Sequence, residues 1–240
     1  MTTVALTIAG SDPSGGAGIQ ADLRTFAALG VVGVSVITAL TVQNSLGVQS
    51  VHPVPADVLA AQIDAVLSDT KVQAVKIGML GGAAQVRAVA AALRKHSPPN
   101  VVLDPVLAST SGVPLLDDEG RAALLTELMP LCDLITPNVP ELGALTQLVT
   151  TLEGDRRKAV SQLQLLGAKA VLVKGGHLPK SATDRLYLAG TYSRTLMGKR
   201  LETPHTHGTG CLLSSAIVAY LADSLPLEKA TRKAKVMVIR

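Results

Sequence analysis

The hydrophobic residues of this chain fall into short apolar runs, each followed by a stretch with helical spacing. Val4–Ala9 is the first such run, and it ends at a glycine-rich loop before Ala17–Leu29, whose apolar residues share one helical face. The unit recurs with strands at Val31–Leu40, Val72–Ile77, Val101–Leu103, Leu134–Thr136 and Ala170–Val173, and with helices at Ala56–Leu67, Ala83–Lys95, Asp118–Met129 and Arg156–Leu166. Such alternation predicts an α/β fold with a mostly parallel central sheet and helices on both faces.

The last part of the chain departs from this alternation. Asp184–Arg200 has the pattern of a β-hairpin with a turn near Gly190, whereas Cys211–Leu221 and Leu227–Val238 have helical spacing. No internal repeat or low-complexity linker interrupts the sequence. We therefore expect a single domain over residues 1–240.

Polar and glycine-rich segments follow directly after the predicted strands. In an open parallel sheet, the carboxyl ends of the strands form the edge at which ligands bind. Loops are polar in general, but seven such segments in succession favour one shared cleft. They are Gly10–Gly18, Thr41–Asn44, Gly78–Met79, Asp104–Pro105, Pro137–Glu141, Lys174–His177 and His207–Cys211.

Composition and charge narrow the class of protein. Hydrophobic residues make up 48% of the chain but aromatic residues only 2%, so the core must consist of Ala, Val, Leu and Ile. The net charge is +4, and the basic residues are scattered. The densest basic groups are only Arg156–Lys158 and Arg232–Lys233, and four aromatic residues leave few stacking positions, so we expect no nucleic-acid partner. A small excess of positive charge is compatible with a ligand that is a phosphate-rich anion.

The sequence predicts neither a membrane segment nor a secretion signal. The charge-free run Thr25–Ala56 is long enough to span a bilayer, but glycines and polar residues interrupt it, and its β-branched residues favour a buried strand. Met1–Gly10 leads directly into a predicted strand, and Cys132 and Cys211 are the only cysteines. We expect a reduced, cytoplasmic protein.

Two familiar phosphate motifs fail in the first glycine-rich loop. Gly10–Ala17 has the glycine spacing of a P-loop, but Gly16 and Ala17 occupy the positions that require Lys and Ser or Thr. Gly16–Ala21 fits the dinucleotide fingerprint, yet it starts well after the strand ends and lacks an acidic partner about 20 residues further on. The sequence therefore favours neither a P-loop NTPase nor a nicotinamide or flavin enzyme.

A second glycine pair precedes the predicted helix Cys211–Leu221. Gly208 and Gly210 let backbone N–H groups converge on an anion at the helix N-terminus. That position also lowers the pKa of a thiol, so Cys211 is a candidate thiolate, base or hydrogen-bonding group, or else a small buried residue. Cys132, before an apolar strand, is expected in the core.

Four residues near strand ends suggest a site for magnesium and phosphate. Asp104, Asn138 and Glu141 carry oxygen ligands that suit magnesium, bound directly or through water. Alternatively, Asp104 is a turn residue, and Asn138 forms a helix capping box with Glu141. Lys174 precedes two glycines and is either a phosphate ligand or a solvated strand end.

Taken together, seven segments closely resemble the bacterial hydroxymethylpyrimidine/phosphomethylpyrimidine kinases of thiamine biosynthesis. They are Ala9–Asp22, Ile37–Asn44, Lys76–Leu80, Leu103–Val106, Thr136–Glu141, Val173–His177 and His207–Cys211, and the resemblance is colinear from about residue 4 to about residue 235. It implies a ribokinase-like fold with three αβα layers and the use of ATP and Mg²⁺. It also implies phosphorylation of 4-amino-5-hydroxymethyl-2-methylpyrimidine, and then of its monophosphate to the diphosphate.

The resemblance implies roles for the residues that would surround the pyrimidine. Gln43 would hydrogen-bond the aminopyrimidine, with Asp22 and Gly10 nearby. Met79 and Val106 would pack on the ring, which suits an apolar slot with few polar groups.

The resemblance also implies how the phosphoryl group would be held. Gly208, Thr209 and Gly210 would form the anion hole, and Cys211 takes the place where related sugar kinases carry an Asp base. We hypothesise that Cys211 is the base for the first phosphorylation, which requires a lowered thiol pKa. The second acceptor is already an anionic phosphate and needs little base.

The remaining polar residues would serve ATP and its metal ion. Lys174 would hold the phosphates of ATP together with Thr209, while Asp104, Asn138 and Glu141 would organise magnesium around them. This agrees with phosphoryl transfer being mostly positioning and charge neutralisation.

Two other functions fit the same sequence. One is a kinase of the same fold that acts on pyridoxine or pyridoxal, whose rings are similar in size and substitution to the pyrimidine. The other is a non-catalytic pyrimidine-binding module, because the chain ends soon after Cys211, where family members run on through a further helix and tail that help cover the nucleotide base. We expect that difference to affect ATP affinity rather than phosphoryl chemistry. The resemblance also implies a homodimer.

Overall fold

A computed structural model describes residues 2–44, 46–109, 112–176, 182–188, 193–198 and 208–238. The strands in these ranges are β1 Val4–Ser11, β2 Val32–Asn44, β3 Gly47–Pro53, β4 Ala74–Ile77, β5 Val101–Leu103, β6 Leu134–Ile135, β7 Val171–Val173, β8 Asp184–Tyr187 and β9 Ser193–Leu196. The α-helices are α1 Gly18–Ala28, α2 Ala56–Asp69, α3 Ala83–His96, α4 Asp118–Ala123, α5 Val139–Thr146, α6 Glu153–Leu165, α7 Thr209–Ala222 and α8 Leu227–Val238.

All nine strands belong to one sheet, in the order β3-β2-β1-β4-β5-β6-β7-β8-β9. The six strands from β2 to β7 in this order run parallel, and antiparallel strands extend the sheet at both ends. The mostly parallel sheet predicted from the sequence is therefore confirmed. Strand β1 lies between β2 and β4, so the chain winds outward in opposite directions from it. A crevice is expected outside the carboxyl ends of β1 and β4, where the winding reverses.

Alternate residues of the central strands face opposite sides of the sheet and divide the core in two. Leu6 and Ile8 of β1 pack in a cluster with α2, α3 and α6, whereas Ala5 packs in a second cluster with α1, α7 and α8. Phe26 and Ile217 are fully buried in the second cluster. Helices therefore cover both faces, as the sequence pattern predicts. No helix in the described part of the chain is both long and apolar enough to cross a bilayer.

The edge hairpin formed by β2 and β3 was not expected. The sequence pattern ends the second strand at Leu40 and treats Thr41–Asn44 as a loop, but β2 continues to Asn44 and pairs antiparallel with β3. Leu40, Val42 and Asn44 are exposed, which is the alternation of an edge strand with one face toward solvent. Polar residues in this stretch are strand residues rather than loop residues.

The predicted helix Asp118–Met129 is only partly α-helical. After α4 the chain forms a π-helical turn at Leu124–Leu128 and a 3₁₀ turn at Met129–Leu131. Pro130 lies in that last turn and lacks the N–H that a continuing α-helix would use. The apolar spacing still reflects burial, because Leu124, Leu128 and Met129 all pack in the core.

The hairpin predicted at Asp184–Arg200 is present as the antiparallel pair β8 and β9. The turn predicted near Gly190 lies outside the described residues, as do His177 and His207, which end and begin two of the predicted cleft segments. Cys132 is buried, as expected.

Candidate active site

The first loop is held rigidly at the carboxyl end of β1. The Asp12 carboxylate accepts hydrogen bonds from the Ala17 amide at 2.8 Å and from the amide and hydroxyl of Ser14. The side chain of Gln20 in α1 accepts from the Asp12 amide and donates to the Ser11 hydroxyl. Polar side chains within the loop thus bind its own backbone, so the loop presents a fixed edge to the crevice.

An apolar slot lies beside this loop, where β1, β2 and β4 end. Met79, Ala39 and Leu115 are buried together, with Val106 packed against them. A Cβ atom on Gly10 would lie 2.5 Å from the Met79 Cε, so the absence of a side chain there lets the methionine lie against β1. Met79, Val106 and Gly10, three of the predicted substrate residues, are therefore neighbours in the fold.

Gln43 borders the same side of the sheet. It is half-buried on β2, and by the alternation of the strand it shares a face with Thr41 and with the buried Ala39 of the slot. The Thr41 hydroxyl donates to the Ser11 carbonyl, which ties this part of β2 to the first loop. The edge hairpin, missed by the sequence pattern, is what carries Gln43.

A largely buried lysine at the end of β7 lies between two carboxylates, Asp104 at the end of β5 and Glu141 in the first turn of α5. The Lys174 Nζ is 2.7 Å from Asp104 Oδ1 and 3.8 Å from Glu141 Oε2. Burial would lower the pKa of Lys174, but the two carboxylates outweigh it and hold that pKa above its ordinary value. Lys174 therefore carries a permanent charge. Only 12% of its side chain is exposed, so Lys174 is not the solvated strand end that the sequence left open as an alternative.

The two carboxylates differ in their surroundings. Asp104 Oδ1 also accepts from the Thr136 hydroxyl, and Oδ2 accepts from the Ser214 hydroxyl at 3.0 Å. Burial would raise the pKa of Asp104, but the ammonium groups of Lys174 and Lys76 outweigh it and lower that pKa. Burial likewise raises the pKa of Glu141, to about 7, because Lys174 compensates only in part and Asp104 adds to the increase.

Asn138 and Glu141 form the capping box that the sequence allowed as an alternative. Asn138 Oδ1 accepts from the Glu141 amide at 2.8 Å, and Glu141 Oε2 accepts from the Asn138 amide at 2.7 Å. The box starts α5, and it fixes the Glu141 carboxylate next to Lys174.

The N-terminus of α7 meets both the first loop and the lysine. Gly208 has φ of 79°, and a Cβ there would overlap the Gly16 carbonyl oxygen. A Cβ on Gly210 would lie 3.3 Å from the Lys174 Nζ and 3.9 Å from Asp104 Oδ2. The start of α7, and with it Thr209, is therefore placed beside the Lys174 charge, an arrangement that attracts an anion.

Cys211 lies in the first turn of α7 and is partly exposed. Burial raises the pKa of its thiol; Lys76 and Lys174 oppose this, and Asp22 and Asp104 reinforce it. The expectation of a lowered thiol pKa at this helix N-terminus is therefore wrong. Desolvation outweighs the two lysines, so the pKa of the thiol lies above its ordinary value.

Asp22, which the resemblance places near the pyrimidine, is buried beneath α7. Its carboxylate is fully buried and accepts hydrogen bonds from the Thr7 and Ser215 hydroxyls, both at 2.6 Å, and from the Lys76 ammonium. With no exposed surface, Asp22 cannot contact a ligand in this structure.

Lys76 is not among the site residues predicted from the sequence. This lysine is fully buried in β4 and bonds both oxygens of Asp22 at 2.8 Å. The available signal was a charged residue inside an otherwise apolar strand, because a buried ammonium needs a charged partner.

The chain was compared with known proteins. A family model described as phosphomethylpyrimidine kinase matches residues 12–240. The hydroxymethylpyrimidine/phosphomethylpyrimidine kinase of Haemophilus influenzae is 47% identical over 234 residues, which cover 96% of this chain and 87% of that protein.

Two solved structures show the same architecture. The phosphomethylpyrimidine kinase (thiD) of Clostridium difficile 630 has a TM-score of 0.87 at 40% identity and covers 99% of this chain and 98% of its own. The ADP complex of Bacillus subtilis pyridoxal kinase has a TM-score of 0.89 at 35% identity and covers 98% of this chain and 90% of its own. These similarities confirm the ribokinase-like fold, and the family match extends over nearly the whole sequence. The chain belongs to the phosphomethylpyrimidine kinase family.

Proposed function

We propose that this protein transfers the γ-phosphoryl group of ATP to the hydroxyl of 4-amino-5-hydroxymethyl-2-methylpyrimidine, and then to the resulting monophosphate. These are the pyrimidine phosphorylations of thiamine biosynthesis, carried out in the cytoplasm. The observation that carries the proposal is the approach of the α7 N-terminus to the buried Lys174 charge, beside an apolar slot at the reversal point of the sheet. An anion site next to an apolar slot is what a kinase of a small aromatic alcohol requires.

The slot binds the pyrimidine ring in this proposal. Met79 and Val106 pack on its faces, and Gln43 at the slot's border bonds its polar edge. Gly10 contributes by having no side chain, since a Cβ there would displace Met79. The slot is apolar, so the few polar contacts determine the orientation of the ring.

The phosphoryl group is held by α7 and Lys174. Backbone N–H groups at Gly208, Thr209 and Gly210 point along the helix axis toward the site, and the permanently charged Lys174 adds a cation beside them. Both are fixed before substrate binds. Fixed positive charge of this kind stabilises the negative charge that spreads over the transferred phosphoryl oxygens.

The donor set fits a magnesium ion that is bound mainly by phosphate oxygens and water. Both oxygens of Asp104 already accept hydrogen bonds. In this proposal Asp104 therefore pairs with Lys174 and does not bind the magnesium ion directly. Asn138 Oδ1 accepts a hydrogen bond from the Glu141 amide in α5, so in this proposal Asn138 positions Glu141. Glu141 is the protein ligand that fits, because its carboxylate supplies the oxygen ligands that magnesium prefers and only 12% of its side chain is exposed. The ion would neutralise phosphate charge.

The test is ATP consumption by the purified protein with three acceptors: hydroxymethylpyrimidine, pyridoxal and none. We expect turnover with the pyrimidine well above the rate without acceptor. Turnover with Lys174→Met should fall by at least about 100-fold, since truncating one group that stabilises transition-state charge typically has an effect of that order. Lys169→Met, a change at an exposed lysine paired with Asp133, is the matched control and should keep the wild-type rate.

A pyridoxal kinase is the second candidate. The similarity to the Bacillus subtilis pyridoxal kinase is the observation that favours it. A kcat/KM for pyridoxal that exceeds the value for hydroxymethylpyrimidine would replace the first proposal by this one. Pyrimidine binding with no ATP consumption for any acceptor would point to a binding module instead.

We also propose a homodimer. Leu40 and Val42 of β2 and Leu46 in the hairpin turn have 53%, 47% and 89% of their surface exposed. Several large apolar side chains on one edge hairpin are typical of a protein–protein contact. Sedimentation equilibrium should give twice the chain mass of 24.7 kDa, and Leu46→Glu together with Val42→Glu should shift it to the monomer.

A further inference from the structure

A fully buried ion pair lies beneath the N-terminal turn of α7. Every residue of β4 is buried, and the Lys76 side chain has no exposed surface. Transferring an ammonium group into a protein interior is strongly unfavourable unless it is paired. Both oxygens of Asp22, at 2.8 Å, supply the pairing.

The pair is tied to three further elements. Asp22 belongs to α1, and it also accepts from Thr7 in β1 and from Ser215 in α7, each at 2.6 Å. Its carboxylate is therefore fully engaged inside the protein. Because buried ion pairs often contribute little to stability relative to apolar residues of equal size, stability alone does not account for this arrangement.

The ammonium group lies close to the proposed acceptor site. Ser215 follows Cys211 by four residues on α7, so both side chains share one face of the helix. A Cβ on Gly78, at the carboxyl end of β4 and next to Met79 of the slot, would lie 3.0 Å from the Lys76 Nζ. The ion pair thus lies on the inner side of both Cys211 and the Gly78–Met79 segment that borders the slot.

Four charged groups act on the Cys211 thiol. They are Asp22 from α1, Lys76 from β4, Asp104 from the end of β5 and Lys174 from the end of β7. Lys76 has the largest effect of the four and favours the thiolate. Burial and the two carboxylates act in the opposite direction.

We propose that Lys76 is a positioning residue for phosphoryl transfer, which acts through Cys211: fixed by Asp22, its buried ammonium group supplies positive charge behind the thiol and the α7 N-terminus. This inference rests on the proposed function and on the hypothesis that Cys211 is the base for the first phosphorylation. Lys76 itself touches no substrate, since its side chain is fully buried.

Alkylation of Cys211 by iodoacetamide, followed against pH by peptide mass spectrometry, measures this charge directly. The thiolate is the reactive form, so the rate at a given pH reports the thiol pKa. Cys132 is 2% exposed and serves as the unreactive internal reference. We expect Lys76→Met to alkylate at least about fivefold more slowly than wild type at pH 8, since each pKa unit is a factor of about ten.

Matched variants separate charge from folding. Lys76→Arg keeps the positive charge that acts on the thiol and should alkylate within about twofold of the wild-type rate. The double variant Lys76→Met with Asp22→Asn removes both charges, retains polar partners for Thr7 and Ser215, and avoids an unpaired buried carboxylate. It should also alkylate more slowly than wild type, by a smaller factor, because Lys76 affects the thiol more than Asp22 does.

Folded Lys76→Met and double variants that alkylate at the wild-type rate would overturn the proposal. The proposal would also be overturned if alkylation of Cys211 slowed as much in Lys76→Arg as in Lys76→Met. Equal slowing would indicate altered packing rather than lost charge. In the kinase assay, Lys76→Met should lower kcat for the first phosphorylation and leave the KM for ATP near wild type. The alkylation measurement needs no substrate, so it stays decisive for Lys76 even if the wild-type protein fails to phosphorylate the pyrimidine.

Discussion

At the scale of single residues, glycine allows segments of the site to approach closely. At Gly208 a Cβ would meet the Gly16 carbonyl oxygen, and at Gly210 it would lie 3.3 Å from the Lys174 Nζ. These approaches bring the first loop, the N-terminus of α7 and the lysine together. Gly208 also has a left-handed backbone conformation, with φ of 79°, which residues with a Cβ rarely adopt.

Gly208→Ala tests the contact between α7 and the first loop. Gly30→Ala is the matched control, because Gly30 has a similar φ of 75° but nothing within 4 Å of a Cβ. The control should lose about 1–2 kcal/mol of stability through backbone strain and keep its kcat. Gly208→Ala should lose more stability and at least about tenfold in kcat, because α7 must shift away from Gly16. Thermal unfolding and steady-state kinetics measure both, and equal kcat values for the two variants would contradict the account.

Cys211→Ala separates a base from a packing residue. If the thiol takes the proton of the acceptor hydroxyl, kcat for the first phosphorylation should fall by about 100-fold or more, since general bases contribute about that much. The second phosphorylation has an anionic acceptor and should stay within about threefold of wild type. The two rates are measured separately, with hydroxymethylpyrimidine and with its monophosphate as acceptors. Equal losses in both steps would show that Cys211 acts in positioning alone.

At the scale of elements, the start of α5 has two functions at once. The capping box of Asn138 and Glu141 satisfies the free N–H groups of the helix, and it also holds a carboxylate beside Lys174. The sequence allowed a capping box and a magnesium site as alternatives. The structure contains the box, and the box presents Glu141 to the site, so the two are compatible.

The raised pKa of Glu141 predicts how stability depends on pH. A carboxyl group whose pKa is higher in the folded chain binds a proton more tightly there, so stability is lost as pH rises from its ordinary value of 4.5 to about 7. Glu141→Gln keeps the capping box and has no charge to lose. Relative to wild type without ligands, its Tm should therefore rise between about pH 5 and pH 7.5. A constant Tm difference across this range would show that Glu141 titrates normally.

Helix α8 is joined to the segment that carries Lys174. Lys235 Nζ lies 2.8 Å from Asp184 Oδ2 and donates to the Ala182 carbonyl, while Asp184 Oδ1 accepts from the Gly175 amide. The contact with Oδ2 is an ion pair without hydrogen-bond alignment. Through Asp184, the last helix therefore supports the residue directly after Lys174.

Lys235→Met should destabilise the protein by about 3 kcal/mol, because it leaves the Asp184 carboxylate buried without its charged partner. The control is Lys229→Met, at an exposed position of the same helix, which should change stability by less than about 0.5 kcal/mol. Urea unfolding gives both values. Equal stabilities for the two variants would mean that the Asp184 pair contributes nothing.

The boundaries of a strand were predictable where its apolar run in the sequence coincides with its buried segment in the fold. The strand Ala74–Ile77 lies within its predicted limits and Val101–Leu103 matches them, because both are buried on two faces and are apolar apart from Lys76. The end of β2 was not predictable, since Thr41–Asn44 pairs with a strand that the pattern did not include. The π-helical turn at Leu124–Leu128 preserves helical burial and leaves no mark in the apolar spacing.

At the scale of the whole molecule, the sheet edge gathers residues that are far apart in the sequence. The first loop, the end of β4 and the start of α7 meet where the winding of the sheet reverses. This much follows from the strand pattern, because the carboxyl ends of parallel strands share one edge. Asp104 and Lys174 were correctly placed at that edge.

The pairing of side chains beneath the edge does not follow from the pattern. Asp22 and Lys76 are 54 residues apart, and Asp22 and Ser215 are 193 apart. Their contacts depend on which face of each element is turned inward, and on α1 and α7 packing side by side. The raised thiol pKa of Cys211 has the same origin, since desolvation is a property of the assembled fold.

The most direct test is a time course of the products formed from hydroxymethylpyrimidine and ATP with Mg²⁺, followed by phosphorus NMR. We predict that the monophosphate appears first and is then converted to the diphosphate, with one ATP consumed for each step. Wild-type protein that binds the pyrimidine yet forms neither product, or that phosphorylates pyridoxal in its place, would contradict the central claim.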